Sequence, residues 1–132
     1  MKTILQVNAA IEGLVGFLLI FSPNLLLNHA NPELQGIAIA KLYGMLAFCF
    51  GIISYLLSKE FVYTQSFKQV ILVVISFHFV VGLYMYGLYH QAITPHPGAS
   101  VLHIFLSLAF LFIYLKNIQK FDQYGQSTPS AS

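Results

Sequence analysis

Charged side chains are scarce in this 132-residue chain, at 8% of the residues, and arginine is absent. Soluble domains usually carry about 25% charged residues. So few charges cannot cover a water-soluble domain of this size, so a bilayer must solvate much of the exterior, which rules out a cytosolic enzyme. The lack of arginine and a formal net charge of only +2 also exclude a nucleic-acid partner, because clustered basic side chains read phosphates and base edges.

Cysteine is almost absent as well. The single cysteine, Cys49, excludes an internal disulfide framework and any zinc motif built on cysteine pairs. What the chain has in abundance is apolar surface, because 58% of its residues are hydrophobic and its mean hydropathy is +0.76. This composition is typical of an integral membrane protein in contact with the lipid bilayer.

Four apolar stretches have the length of about 20 residues that a helix needs to cross a bilayer. They predict membrane helices from about Thr3 to Phe21, Gly36 to Leu57 and Phe67 to Tyr89, and a fourth that begins after Pro95-His96-Pro97-Gly98 and continues to about Leu115, reaching Lys120 at most. Because the connections are short, neighbours should pack antiparallel in an all-α, four-helix transmembrane bundle over residues 1–120. We expect residues 121–132 to be a disordered polar tail, and Leu25 to Leu27 to form a short helical turn along the interface.

The positions of the lysines orient this bundle. Five of them lie near the termini or between the second and third helices: Lys2, Lys59, Lys68, Lys116 and Lys120. The positive-inside rule therefore predicts that both termini are cytoplasmic, in a protein of the bacterial cytoplasmic membrane. The opposite loops contain His29, Glu33, His90 and His96 and no lysine. Imidazoles can bind zinc, but no two of these histidines have the i, i+4 spacing of a helical metal site, so the sequence leaves metal binding in the outer loops open. In the interior of the bundle we expect no metal.

Each predicted helix carries one acidic, lysine or histidine residue well inside the bilayer: Glu12, Lys41, His78 or His103. An ionisable group in the middle of a bilayer costs at least ~2.5 kcal/mol, so such residues are functional candidates by default. At about 1.5 Å of rise per residue, Glu12 and His78 lie near the midplane, and Lys41 and His103 lie nearer the outer ends of their helices. The distribution predicts a single polar cluster in the interior of the bundle.

Small or polar residues lie one turn from each of these four groups, which favours an orientation of the groups toward the interior of the bundle. Asn8 and Gly16 flank Glu12, and Gly44, Gly82 and Ser107 follow the other three. Buried tyrosines also need hydrogen-bond partners and can extend the cluster. The predicted ligand-binding residues are Glu12, Lys41, His78, His103, Asn8 and Tyr84.

Purely structural interpretations exist for the same residues. Lys41 can extend its long side chain to the outer headgroups. Glu12 can be a neutral acid hydrogen-bonded to Asn8 or to a neighbouring helix, or can form an ion pair with Lys41. His78 and His103 can be interhelical hydrogen-bond partners. We do not expect a haem between these two histidines, because the sequence places them at different depths.

A weak internal repeat is visible. E-G-L-V-G-F from Glu12 to Phe17 aligns with H-F-V-V-G-L from His78 to Leu83, and L-A-F-C-F from Leu46 aligns with L-A-F-L-F from Leu108. This alignment matches Glu12 with His78 and Lys41 with His103. If it reflects the fold, the chain is a repeat of two hairpins about the membrane normal.

Four sequence motifs occur in a characteristic order. The first predicted helix ends in S-P-N-L-L from Ser22, the second begins with A-K-L-Y-G from Ala40, the third contains His78, and the fourth continues as H-x-x-L-x-L-x-F from His103. Over about residues 1–118 the chain resembles the DoxX-like family of small four-helix membrane proteins. The resemblance implies a membrane subunit linked to thiosulfate and quinone redox chemistry, or a protein needed for the maturation of periplasmic enzymes. Lys41 stands where the family tends to have arginine, which weakens the case for bidentate anion binding there.

Three functions fit these observations. The first is binding of a lipophilic small molecule, quinone-like or sterol-like, in a buried polar pocket; the bound group is not identified by the sequence, a quinone and a lipid are both candidates, and no reaction is assigned. The second is a non-enzymatic assembly factor or structural subunit of a larger membrane complex, with a membrane-protein partner or a second copy on its apolar surface. The third is a small transporter or proton-coupled channel, which ranks last because four helices in a monomer leave little room for an aqueous path, so that an oligomer would be needed.

Overall fold

A computed structural model of the protein describes residues 1–27, 34–94 and 96–126. Within these ranges the chain forms five α-helices and no strand: α1 (Lys2–Phe21), α2 (Pro23–Leu27), α3 (Leu34–Lys59), α4 (Gln65–His90) and α5 (Gly98–Gln126). The four longer helices are long and apolar enough to cross a membrane, which confirms the predicted number of membrane helices and makes the chain an integral membrane protein. The loop residues His29 and Glu33 and the predicted tail beyond residue 126 lie outside the described residues.

The helices form two compact units, one from Lys2 to Glu60 and the other from Phe61 onward. In the first unit α1 packs against α3, and in the second α4 packs against α5. We call these units the N-terminal hairpin and the C-terminal hairpin.

In the N-terminal hairpin, α1 stops at Phe21 because of Pro23. Proline has no N–H with which to continue a helix, and it disfavours helical geometry at the residue before it, here Ser22. Pro23 instead takes the first position of α2, where the missing N–H costs nothing. The helix Pro23–Leu27 confirms the helical turn predicted for Leu25 to Leu27, while its location along the interface stays a prediction.

Small residues bring α1 and α3 together. The buried face of α3 consists of Ala40, Gly44, Ala47, Gly51, Ser54 and Ser58, spaced alternately by four and three residues. A Cβ atom built on Gly16 of α1 would lie 2.5 Å from the backbone nitrogen of Phe48, and one built on Gly51 would lie 2.7 Å from that of Gly13. The two backbones are therefore in contact, an approach that membrane helices achieve with small residues.

In the C-terminal hairpin, α4 has a defined cap at each end. The side chain of Thr64 accepts a hydrogen bond from the backbone N–H of Phe67 at its start. At its end, the N–H groups of Ala92 and Ile93 donate to the carbonyls of the last turn, as in a Schellman motif. Ala92 takes a left-handed conformation there, with φ of 56°, where glycine is the usual residue. α4 ends at His90, close to the predicted Tyr89.

α5 is longer than the sequence predicts. We expected it to end at Lys120 at the latest, because the apolar run stops there, but it continues to Gln126. Phe121 provides the physical reason, because its side chain is fully buried. Its ring centroid lies 5.0 Å from that of Tyr63 and 6.1 Å from that of Phe61. Aromatic packing against the segment before α4 therefore supports the last turns of α5.

Candidate functional site

The C-terminal hairpin brings two of the predicted site residues into contact. His78 of α4 and His103 of α5 have their Nδ1 atoms 2.9 Å apart, within hydrogen-bond distance. Their ring centroids are 5.2 Å apart. His78 is fully buried and His103 is 5% exposed. We call these two side chains the imidazole pair.

The hydrogen bond determines where the protons lie on a neutral pair. A neutral imidazole has one nitrogen that donates and one that accepts. Because the two rings meet through their Nδ1 atoms, one Nδ1 carries hydrogen and the other accepts it. The donating ring then has an acceptor at Nε2, whereas the accepting ring has a donor at Nε2. The pair therefore consists of two different tautomers, with opposite character at their two remaining nitrogens.

Two serine hydroxyls hold the helices in register around the imidazole pair. The hydroxyl of Ser100 donates to the carbonyl of Gly82 at 2.8 Å, and that of Ser107 donates to the carbonyl of Ile75 at 3.1 Å. These bonds lie about one helical turn on either side of the pair. The two serine bonds and the hydrogen bond between His78 and His103 each join α4 to α5, so polar contacts fix the hairpin over roughly two turns.

Phenylalanine rings enclose the imidazole pair. Phe110 stacks on His78, with centroids 5.9 Å apart and an interplanar angle of 14°. The ring of Phe77 stands edge-on to both imidazoles, with centroids at 5.3 and 6.4 Å. Phe77 also lines a shallow apolar groove of about 450 Å³ on the exposed face of α4, together with Leu72, Val73, Ser76, Val80 and Val81. One side chain thus borders both the imidazole pair and an exposed groove.

The contact between the histidines corrects their predicted depths. Counting residues from the helix ends placed His78 and His103 at different levels. In the structure, Ser100 near the start of α5 bonds to Gly82 and not to the end of α4 at His90. α4 therefore extends about two turns beyond the level at which α5 begins, and the two histidines are level.

The contact also removes the argument from depth against a haem, because the two histidines lie at one level. The expectation that no haem binds between them stays a prediction.

The N-terminal hairpin contains buried polar residues of its own. The side-chain N–H of Asn8 donates to the hydroxyl of Ser54 at 2.9 Å, and both residues are fully buried. Among the described residues, none forms a hydrogen bond to Oδ1 of Asn8. Glu12, one turn further along α1, is 3% exposed. The burial predicted for Asn8 and Glu12 is confirmed, and their role in ligand binding stays a prediction.

Sequence reasoning did not find Ser54. A signal was present, because Ser54 continues the small-residue face of α3 that runs through Gly44, Ala47 and Gly51 with alternating spacings of three and four. Following that spacing from the glycines would have identified Ser54 as the interhelical partner of a polar residue on α1.

Two predicted site residues do not face the interior. Lys41 is exposed, because the buried face of α3 passes through Ala40 and Gly44, and Lys41 lies about 100° around the helix from Ala40. The inward orientation predicted for Lys41 is therefore wrong, and its exposure is compatible with a side chain extending toward headgroups. Tyr84 is 66% exposed, so its predicted place in the interior polar cluster is wrong as well.

Two of the outer-loop histidines are described, and both are exposed. His90 is held at the end of α4, where its Nε2 lies 2.8 Å from the hydroxyl oxygen of Tyr86. His96 lies in the connection before α5. A metal-binding role for these residues remains an open prediction.

Comparison of the chain with family models, with curated proteins and with solved structures gives no match. The resemblance to the DoxX-like family therefore rests on the sequence motifs alone.

Proposed function

We propose that this chain is a small membrane protein of the DoxX-like type that binds a lipophilic ligand with a polar head, quinone-like or sterol-like, beside the imidazole pair. In this proposal its four membrane helices form an antiparallel bundle in the bacterial cytoplasmic membrane, with both termini in the cytoplasm. The observation that supports ligand binding is the contact between His78 and His103, bordered through Phe77 by an exposed apolar groove.

The imidazole pair has the chemistry to bind an oxygen head group. A quinone carbonyl accepts a hydrogen bond from an imidazole N–H, and the hydroxyl of a quinol or a sterol donates to an imidazole nitrogen that carries no hydrogen. The groove has a volume of about 450 Å³ and is shallow and open, so a ligand lying in it would also contact the bilayer. The apolar body of the ligand would lie in the groove, and its head would reach the pair when Phe77 turns aside. We assign binding, and no reaction.

The test is quinone binding by the purified protein in nanodiscs, measured by native mass spectrometry with decylubiquinone and, in parallel, with cholesterol. His78→Gln and His103→Gln should each weaken binding about tenfold, the loss expected for one hydrogen bond of ~1.4 kcal/mol. His96→Gln, which changes an exposed histidine outside the pair, is the matched control and should bind like the wild type. Equal binding by all four proteins, or no binding of either probe, would overturn the proposal.

A second candidate function is a structural subunit or assembly factor. It is favoured by one observation: the hydroxyls of Ser54, Ser100 and Ser107 all bond within their own hairpins, so polar groups act there as helix–helix contacts. In that case His78→Ala would lower the yield of folded protein, and the protein that folds would keep full function. Chemical crosslinking in native membranes, followed by identification of the crosslinked partner, distinguishes this function from ligand binding.

A further inference from the structure

A second groove lies on the N-terminal hairpin, and none of its lining residues is used above for ligand binding. Its volume is about 450 Å³, and it is lined by Gln6, Ala9, Ala10, Gly13, Phe48, Gly51, Ile52 and Tyr55. The close approach of Gly51 to Gly13 creates its floor, because no side chain separates the two backbones there. A Cβ atom on Gly13 would meet nothing within 4 Å, so this position opens into the groove.

One end of the groove is polar and positively charged. The hydrogen bond between Asn8 and Ser54 places Gln6 and Tyr55, their close neighbours in the chain, at the same end. The ammonium of Lys59, one turn beyond Tyr55, lies 5.0 Å from the centre of the Tyr55 ring. Lys2 is exposed one turn before Gln6.

The charge at this end is positive, and the other end is apolar. Among the described residues of the N-terminal hairpin, the acidic ones are Glu12, which is buried, and Glu60, which follows Lys59 directly. Phe48, Ile52 and Gly13 line the groove further from the lysines. The groove therefore combines an apolar length with a cationic end, which suits an amphiphile with a negatively charged head.

We propose that this groove binds an anionic phospholipid, with one acyl chain along the small-residue floor and the phosphate next to Lys59 and Lys2. Acyl-chain contact provides the binding surface, and the two ammonium groups provide the preference for a negative headgroup. This site is independent of the function proposed for the imidazole pair, since its residues all belong to α1 and α3.

Charge disfavours a second copy of the chain as the occupant. Two copies in one membrane share the same orientation, so a symmetric dimer through this groove would bring the lysines of both copies to the same end. Like charges placed together oppose association. An anionic lipid has the opposite charge and neutralises the same groups.

The test measures which lipids stay bound when the protein is released from nanodiscs of mixed phosphatidylglycerol and phosphatidylcholine in a native mass spectrometer. The wild type should retain phosphatidylglycerol preferentially. Lys59→Gln should reduce this preference about fivefold, the value of one lysine next to an anionic surface, and Lys2→Gln with Lys59→Gln should abolish it. Lys116→Gln removes a lysine from the other hairpin and should leave the preference unchanged.

Filling the groove separates a lipid site from a general charge effect. Gly13→Leu should remove the retained lipid whichever headgroup it carries, whereas Gly87→Leu, at a glycine of the other hairpin that also has open space, should not. Ala10→Leu fills the same groove from an exposed position and serves if Gly13→Leu does not fold. Full retention of phosphatidylglycerol by the double lysine variant, or by both groove-filling variants, would overturn the proposal. So would a dimer that Gly13→Leu or Ala10→Leu dissociates, since a second copy would then occupy the groove.

Discussion

The two hairpins hold their helices together by different means. In the N-terminal hairpin the backbones touch, so that a Cβ atom on Gly16 would lie 2.5 Å from a backbone nitrogen. In the C-terminal hairpin a Cβ atom on Gly82 would meet the side chain of Ile104 at 2.7 Å, and imidazole and phenyl rings fill the space between the helices. Apolar side chains gain little by leaving lipid for protein, so membrane helices depend on close packing and on hydrogen bonds. The N-terminal hairpin relies mainly on close packing, and the C-terminal hairpin relies mainly on hydrogen bonds.

The internal repeat seen in the sequence aligns two pairs of helices, and only the first pair is similar in the structure. Its first helices correspond, since Glu12 and His78 are both buried and each is followed one turn later by a closely packed glycine. Its second helices differ, because Lys41 is exposed where His103 is buried. His78 and His103 are therefore in contact, whereas Lys41 lies outside the buried face of α3.

The largest effect is expected from a methyl group at the closest backbone contact. Gly16→Ala should lower the free energy of unfolding by about 3 kcal/mol, the upper end for overpacking, because the groups it meets are backbone and cannot turn aside. Gly82→Ala should cost about 1 kcal/mol, since the two closest atoms belong to the side chain of Ile104, which can change rotamer, while the backbone nitrogen of Ile104 is further away at 3.1 Å. Unfolding by SDS titration, followed by circular dichroism, measures both. Gly13→Ala, which adds a methyl group in open space, is the control, and equal losses in the first two variants would contradict the difference between the hairpins.

A smaller loss is expected when one member of the imidazole pair is replaced. His78→Leu or His103→Leu should each cost about 2 kcal/mol, because the remaining buried imidazole loses its Nδ1 partner. The double variant should cost less than the sum of the single variants, since it leaves no polar group behind. The measurement is a double-mutant cycle under the same unfolding conditions. Strict additivity would show that the two rings contribute independently and that their hydrogen bond adds nothing to stability.

The hydrogen bond of the N-terminal hairpin should contribute less. Ser54→Ala should cost about 1 kcal/mol, the usual scale for a polar contact between membrane helices, because close packing by Gly16, Gly44 and Gly51 remains. Ser66→Ala, at an exposed position in the first turn of α4, should have no effect and controls for the substitution itself. If Ser54→Ala cost more stability than the histidine variants, the conclusion that close packing stabilises the N-terminal hairpin and hydrogen bonding the C-terminal hairpin would be wrong.

The smallest effect is expected at the surface of the C-terminal hairpin. Lys68 and Asp122 form an ion pair of 2.7 Å between α4 and α5, with the Asp122 side chain 56% exposed. Exposed ion pairs contribute little, because water and salt screen them. Asp122→Asn should therefore leave the unfolding curve unchanged at both low and high salt. A clear loss at low salt that disappears at high salt would show that the C-terminal hairpin also depends on its surface charges.

The number of helices and the break between the first two could be predicted because they depend on local chemistry. Apolar runs of sufficient length determine the membrane helices, and Pro23 ends α1 through its own ring. The burial of Glu12, His78 and His103 also follows from the sequence, since ionisable groups avoid lipid. These properties require no knowledge of which helix packs against which.

The failed predictions concern relations between helices. The level of His103 depends on how far α4 extends past the start of α5, which no residue near His103 encodes. The orientation of Lys41 depends on whether α3 packs through Ala40 or through the next position, and Gly44 one turn later fits both. The extra turns of α5 depend on Phe121 packing on aromatic residues far away in the chain, where a hydropathy profile shows only polar neighbours.

The Nδ1–Nδ1 contact has a consequence for proton movement. If a proton reaches Nε2 of the donating ring, the shared proton can cross to the other ring, and that ring can release its own proton from Nε2. One charge then passes from one side of the pair to the other with no displacement of heavy atoms. The transfer leaves the direction of the hydrogen bond reversed, so a second proton cannot follow the first until both rings return to their starting tautomers. The imidazole pair can therefore transfer one proton in a given direction for each return to its starting tautomers.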